Sequence, residues 1–244
     1  MTRQYRSAAL AGLALVCLPA MTRAQDDPIL SLGLSVGTAR ERVRFADDND
    51  QLSGATVGLM GGLDWGRARV RLAYTEGRLR SRADGSVRHD LVESSLFVGT
   101  QVVGGLELGG GLQARAYVNG GGTERWLLWQ LRARYDAVMR SDIRAYAELW
   151  RSASGTVNAV NILRPRPGET GDGFAGHIDG KPVSKTFRTA TGGEAGVVIL
   201  GRGWRPTVRV GYAIDAARLD AGGYRDSIES LTLALSFDTS RHFD

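Results

Sequence analysis

Along most of this chain apolar and polar positions alternate with a period of two. Residues 67–74, RARVRLAY, are the plainest case: Arg67, Arg69 and Arg71 share one face, and Ala68, Val70, Leu72 and Tyr74 the other. No 3.6-residue period runs for long, so strands are expected, not helices. Ten segments carry the pattern: 29–38, 54–64, 67–78, 91–102, 105–118, 125–138, 141–152, 186–200, 204–216 and 227–238. In the first, Leu30, Leu32, Leu34 and Val36 alternate with Ser31, Gly33, Ser35 and Gly37. In the last, Leu231, Leu233, Leu235 and Phe237 alternate with Ser230, Thr232, Ala234 and Ser236.

The links between these segments alternate too. Long ones at 39–53, 79–90, 153–185 and 217–226, with a glycine turn at 119–124, interleave with tight ones at 65–66, 103–104, 139–140 and 201–203. An even number of strands with long loops on one side and short turns on the other is the pattern of a closed, antiparallel, up-and-down transmembrane β-barrel. Ten strands are expected, with eight or twelve as the neighbouring even counts. A soluble sandwich would need large side chains on the inner faces of its sheets. Here the second parity is Ser, Gly, Thr, Gln, Glu and Arg, while the first is Leu, Val and Ala suited to lipid.

The N-terminus sets the compartment. Arg3 and Arg6 precede an apolar run from Ala8 to Leu18, and Thr22-Arg23-Ala24 offers a cleavage site after Ala24. The run is shorter than the roughly 18 to 20 residues of a spanning helix, so 1–24 is expected to be a cleaved signal peptide and 25–244 the barrel domain. Cys17 is the only cysteine, so the mature chain would hold neither disulfides nor thiolate sites. Removing the leader leaves 28 basic against 26 acidic residues. That near balance speaks against nucleic acid as a partner.

These features resemble those of small bacterial outer-membrane β-barrels of about ten strands. In that family the last strand ends on an aromatic residue read by the barrel-assembly machinery. SLTLALSF, ending at Phe237, is similar to such a signal, with Phe243 as a second candidate. The resemblance implies an outer-membrane location, lipid and lipopolysaccharide as surroundings, and no cofactor.

Parity assigns the candidate lumen-lining residues: Arg67, Arg69, Arg71, Glu93, Glu107, Arg115, Arg132, Arg134, Glu148, Arg209 and Asp215. Two readings stay open for them, a plug of arginine–carboxylate pairs and a narrow pore favouring small anions. Past Tyr74 the lipid-facing parity becomes Glu76, Arg78, Arg80 and Arg82, and past Val36 it becomes Thr38, Arg40, Arg42 and Arg44. Residues 67–82 span roughly 50 Å of strand, about 38 Å of height at barrel tilt. The distal arginines therefore clear the apolar band, at the level where lipopolysaccharide phosphates would meet them. Trp65, Tyr74, Tyr135, Trp204 and Phe237 are the candidate aromatic girdle. Trp126 and Trp150 fall on the inward parity, as lumen-filling side chains or as signs of a slipped register. ADDNDQ (46–51) lacks the spacing of a calcium loop and is expected to be a solvated tip.

Loop 153–185 contains His177 and Asp179, which prompts comparison with the omptins, ten-stranded surface proteases that use an Asp-x-His pair opposite two aspartates. Here the order is reversed, and loop 79–90 offers only the well-separated Asp84 and Asp90. No metal site and no catalytic residue are proposed from this pattern. The expected function is a non-enzymatic barrel with an envelope structural role, or a narrow pore or binding site for small polar or anionic solutes. The alternatives are a closed barrel presenting loops for adhesion or partner binding, and an omptin-like hydrolase.

Overall fold

In a computed structural model, residues 27–45, 48–81, 88–119, 122–159, 183–201, 206–219 and 225–239 are described. They form ten strands: β1 (Ile29–Phe45), β2 (Asp48–Trp65), β3 (Ala68–Ser81), β4 (Arg88–Val103), β5 (Leu106–Asn119), β6 (Gly122–Val138), β7 (Ile143–Ala159), β8 (Val183–Ile199), β9 (Thr207–Leu219) and β10 (Arg225–Asp238). Each pairs antiparallel with its neighbours in the chain. β1 also pairs with β10, Leu34 opposite Leu235, and this closes the barrel.

All ten segments expected from the alternation are strands, so the strand count and fold class hold. Their ends differ on the long-loop side. The expected 39–53 link is mostly ladder: β1 and β2 stay paired out to Phe45 opposite Asp48. The 79–90, 119–124 and 217–226 links shrink to 82–87, 120–121 and 220–224, and β7 and β8 take the ends of the 153–185 segment. The reason is a change of surroundings. Above the apolar band the outer face no longer meets lipid, so the contrast that marks a strand fades while backbone pairing continues. ADDNDQ is corrected by the same extension. Asp50 is on β2, where its carboxylate accepts hydrogen bonds from the Ser81 hydroxyl and the Gln51 amide, each at 2.8 Å.

At the other end the turns are tight. Gly66 and Gly104 open the β2–β3 and β4–β5 turns with φ of 56° and 53°, a region that a Cβ disfavours. The β6–β7 turn occupies 139–142, tied by the Met139 and Arg140 amides donating to the Ile143 carbonyl.

Two parities separate cleanly on the wall. Outward lie Leu30, Leu32, Leu34 and Val36 on β1, with Leu231, Leu233, Leu235 and Phe237 beside them on β10, all well exposed. This belt continues through Leu59, Leu72, Leu131, Leu149, Val197 and Val210. On β2 it runs from Trp65 to Val57, roughly 20 Å of height by strand rise and tilt, close to the apolar band of membrane barrels. Among the described residues no helix is long and apolar enough to cross a membrane; the strands make the crossing.

Above the belt the polarity inverts. Inside, Ala39, Leu52, Leu79, Leu91, Tyr117 and Ile228 form one buried apolar cluster, one residue from each of six consecutive strands, β10 and β1 to β5. Outside, at the same ends of these strands, stand Arg42, Arg44, Arg78, Arg80, Arg88 and Arg225, all exposed. The hydrophobic core of this molecule therefore sits in the upper lumen, beyond the membrane.

Candidate functional site

The lumen holds the densest chemistry. At its middle, Arg115 on β5 donates through Nε to Glu93 on β4 at 2.6 Å and through Nη2 to Asp215 on β9 at 2.8 Å. Gln113 donates to Asp215, and Gln130 donates to Gln113. Toward the short-turn end, Arg71 makes a two-pronged pair with Glu107, at 2.8 and 2.7 Å. Arg132 and Arg134 share Glu148, at 3.1 and 3.7 Å, and Arg134 grips Asp136 with two further bonds. Arg209 pairs with Glu194 at 3.0 Å, and Arg69 with Asp64 at 3.4 Å.

Aromatic rings fill the spaces between these pairs. Arg71 lies over Phe97, Arg132 over Trp150, and both Arg134 and Arg209 over Tyr146. Guanidinium stacking of this kind orders the cations without removing charge. Trp126 and Trp150 are lumen-filling side chains; the β6–β7 ladder does shift register, between Trp129 and Gln130, but both indoles keep the inward parity of their strands. Trp126 is 2% exposed and bonds to Glu124. Trp150 fits because Gly192 opposite it has no Cβ: one built there would meet the indole ring.

Ten of the eleven sequence-derived lumen residues face this interior. Arg67 is corrected: it sits exposed in the two-residue turn before β3, where its carbonyl accepts the Gln101 amide. The alternation of arginine with apolar residues runs one position past the strand, into the turn.

Sequence reasoning missed the top of the lumen. His89 Nδ1 lies 3.1 Å from Glu41 Oε2, a pair joining β4 to β1 with both side chains buried. Burial lowers the His89 pKa, but the Glu41 hydrogen bond and charge, with Glu124 and Asp50 nearby, hold it above its ordinary value. Tyr117 donates to Asp226 at 3.3 Å. Burial, followed by the charge of Glu41, raises the Asp226 carboxyl well above the carboxylate range. Following the inward parity beyond the apolar band would have found these residues. Among the described residues no group of three or more His, Cys, Asp or Glu is arranged for a metal.

Arg115, Gln113, Gln130 and Asp215 are all buried at mid-height, Trp126 and Leu128 are fully buried opposite Arg115 and Gln113 in the ladder, and Leu52 and Leu79 are fully buried nearer the long-loop end. Below them a cavity of about 430 Å³ opens among Arg69, Arg71, Glu107, Arg134, Asp136 and Arg144.

On the outer wall, Arg42 pairs with Glu229 at 3.3 Å. Arg78 and Arg88 converge on Asp90, at 3.4 and 2.6 Å. Arg40, Arg44 and Arg80 also face outward, and Arg82 lies outside the described residues. Trp65, Tyr135 and Phe237 stand exposed toward the short-turn end. Tyr74 is at the opposite edge of the belt, its hydroxyl on Glu76. Trp204, Phe243, Asp84, His177 and Asp179 lie outside the described residues, as does the segment 1–24 expected to be a signal peptide.

Fold and site together define the class: a closed ten-stranded antiparallel barrel with an apolar belt outside and an ion-paired filling inside. No protein family and no curated protein matches the sequence. Among solved structures, the outer membrane protease OmpT from Escherichia coli superposes with a TM-score of 0.49 at 11% identity, over 87% of this chain and 97% of that one. The translocator domain of the autotransporter NalP from Neisseria meningitidis gives 0.42 at 13%, over 95% and 98%. Neisserial surface protein A gives 0.41 at 13%, over 84% and 97%. At these identities the likeness concerns the barrel fold alone.

Proposed function

We propose that this chain is exported by a cleaved signal peptide and inserted in the outer membrane, where it acts as a plugged, non-enzymatic barrel with a structural role in the envelope. The observation that carries the reading is the pairing of Arg115 with Asp215 across the middle of the lumen, beside its ladder neighbour Glu93 and among fully buried apolar side chains. A pore would need hydrated, accessible walls at that height; here the guanidinium and Asp215 are withdrawn from water, and Glu93 is half-buried. The apolar belt supports membrane insertion. The outward arginines Arg40, Arg42, Arg44, Arg78 and Arg80 support contact with lipopolysaccharide, because guanidinium takes phosphate in two-pronged fashion. The barrel-assembly machinery would be the partner during insertion, through the strand ending at Phe237.

Planar-bilayer recording of the purified chain tests the plug. Silence over a range of voltages is expected, and stable single-channel steps would overturn it. Fractionation tests the location: the protein should leave with outer membranes and run faster on a gel before heating than after.

A second reading, a binding site for a small anionic solute, is favoured by the cavity of about 430 Å³ at the short-turn end, where Arg144 has no ion-pair partner among the described residues. Saturable binding of a small dicarboxylate, lost in R144Q, would support it.

A further inference from the structure

The outward arginines are not equivalent. Those on the β3–β4 face have a carboxylate in their midst: Arg78 and Arg88 both reach Asp90, so that Arg80, although it stands opposite Arg88 in the ladder, faces a cation already compensated. On the other side of β1 the situation differs. In the ladder, Arg44 on β1 stands directly opposite Arg225 on β10, and Arg225 directly opposite Arg218 on β9. All three are exposed on the outer wall, and none has an ion-pair or hydrogen-bond partner among the described residues. Like charges placed directly across a ladder repel. A row of three with no acid in it is costly to the isolated barrel, and an external anion would relieve that cost.

Position narrows what the anion is. Counting along each strand from the last exposed aliphatic residue, Arg218 is four residues beyond Ile214, Arg225 six beyond Leu231 and Arg44 eight beyond Val36. At strand rise and barrel tilt that is about 10 to 20 Å above the apolar belt. Lipid phosphates at the hydrocarbon boundary lie lower, beside Arg40 and Arg42, where Glu229 already compensates Arg42. With strands about 4.8 Å apart, the row is about 10 Å long, wide enough for two phosphate groups on neighbouring sugars.

We propose that Arg44, Arg225 and Arg218 form a one-sided docking row for a phosphorylated saccharide, namely the sugar region of outer-leaflet glycolipid that stands above its lipid anchor. The proposal rests on the outer-membrane location and the lipopolysaccharide contact argued above, and adds to them the face, the height and the chemical group. Three guanidiniums grip adjacent phosphates, orient the barrel toward one side of its lipid shell and discharge the row's own repulsion. The ion-paired β3–β4 face takes no comparable part.

The test uses the purified full chain in a neutral detergent at low salt. Its probes are lipopolysaccharide with a phosphorylated sugar core, the same core after phosphatase treatment, and glycolipid truncated to the phosphorylated lipid anchor. Three proteins are compared: the parent, R44Q/R218Q/R225Q and R78Q/R80Q/R88Q. For the row variant, affinity for the phosphorylated core should fall about tenfold, with little change on the other two probes. The β3–β4 variant should stay close to the parent, and a faster-running unheated gel band shows that each variant is folded. Equal losses from the two triple variants would overturn the sidedness, and an equal loss on the truncated glycolipid would overturn the height. No loss in the row variant, with the parent still preferring the phosphorylated core over phosphatidylglycerol micelles, would overturn the row alone. A parent without that preference would overturn the underlying lipopolysaccharide contact as well.

Discussion

Arg115 and Asp215, a hundred residues apart in the chain, meet across the lumen at 2.8 Å, each about 5% exposed. Neither belongs to a strand neighbouring the other's, so this bond crosses the barrel.

Breaking that tie on one side should be costly. R115L would strand the buried Asp215 carboxylate, a loss of about 3 to 5 kcal/mol for pairs of this kind, and D215N, which leaves Arg115 its bond to Glu93, should cost a smaller but measurable amount. Replacing both by similar-sized apolar residues, R115M/D215L, should recover much of it, although Glu93 then also loses its partner. Urea midpoints in lipid vesicles measure this, and D215N unfolding with the parent would remove the pair from its central place.

Gly192 should not tolerate a side chain. A Cβ there meets the Trp150 indole, and overpacking of this sort costs roughly 1 to 3 kcal/mol. G192A should lower the temperature at which the barrel loses its fast gel mobility, and G192A/W150L should restore part of it.

The His89–Glu41 pair gives the upper lumen a pH dependence. The folded pKa of His89 is raised above its ordinary 6.5, so its stabilising share is fully present below 6.5. That share is lost as pH rises through the folded value. Unfolding midpoints measured from pH 5.5 to 9 should decline over that window, and H89Q should flatten the decline. A slope unchanged in H89Q would assign it to other groups.

Charge on the outer wall should be tolerated by height. L34R, in the apolar belt, should cost about 2 to 4 kcal/mol, whereas T38R, one outward position above Val36, should cost about 0 to 1 kcal/mol. Equal penalties would misplace the belt edge.

The strands and their inward and outward parity were legible because lipid and lumen impose opposite demands on alternate residues. Leu30 to Val36 could be assigned without coordinates for that reason. The same logic blurred above Val36. There Arg40, Arg42 and Arg44 took the outer parity while Ala39 and Val43 took the inner, a strand with its phase reversed that reads as a loop when apolar means outward. Which arginine meets which acid was illegible: Arg115 with Asp215, or His89 with Glu41, depends on distances across a closed wall, and parity carries no information on those. Trp126 and Trp150 were placed inward by parity, but the room for Trp150 comes from Gly192, directly opposite it on β8 and far along the chain.

The reversal of polarity along the wall acts as a waterline. Sinking the barrel by one turn of its outer pattern would drag Arg40 and Arg42 into hydrocarbon; raising it would lift Leu231 and Val36 into water. Both displacements are opposed at once, so the depth at which this barrel floats is fixed by its own strands, and the surrounding bilayer has to adjust its thickness to match.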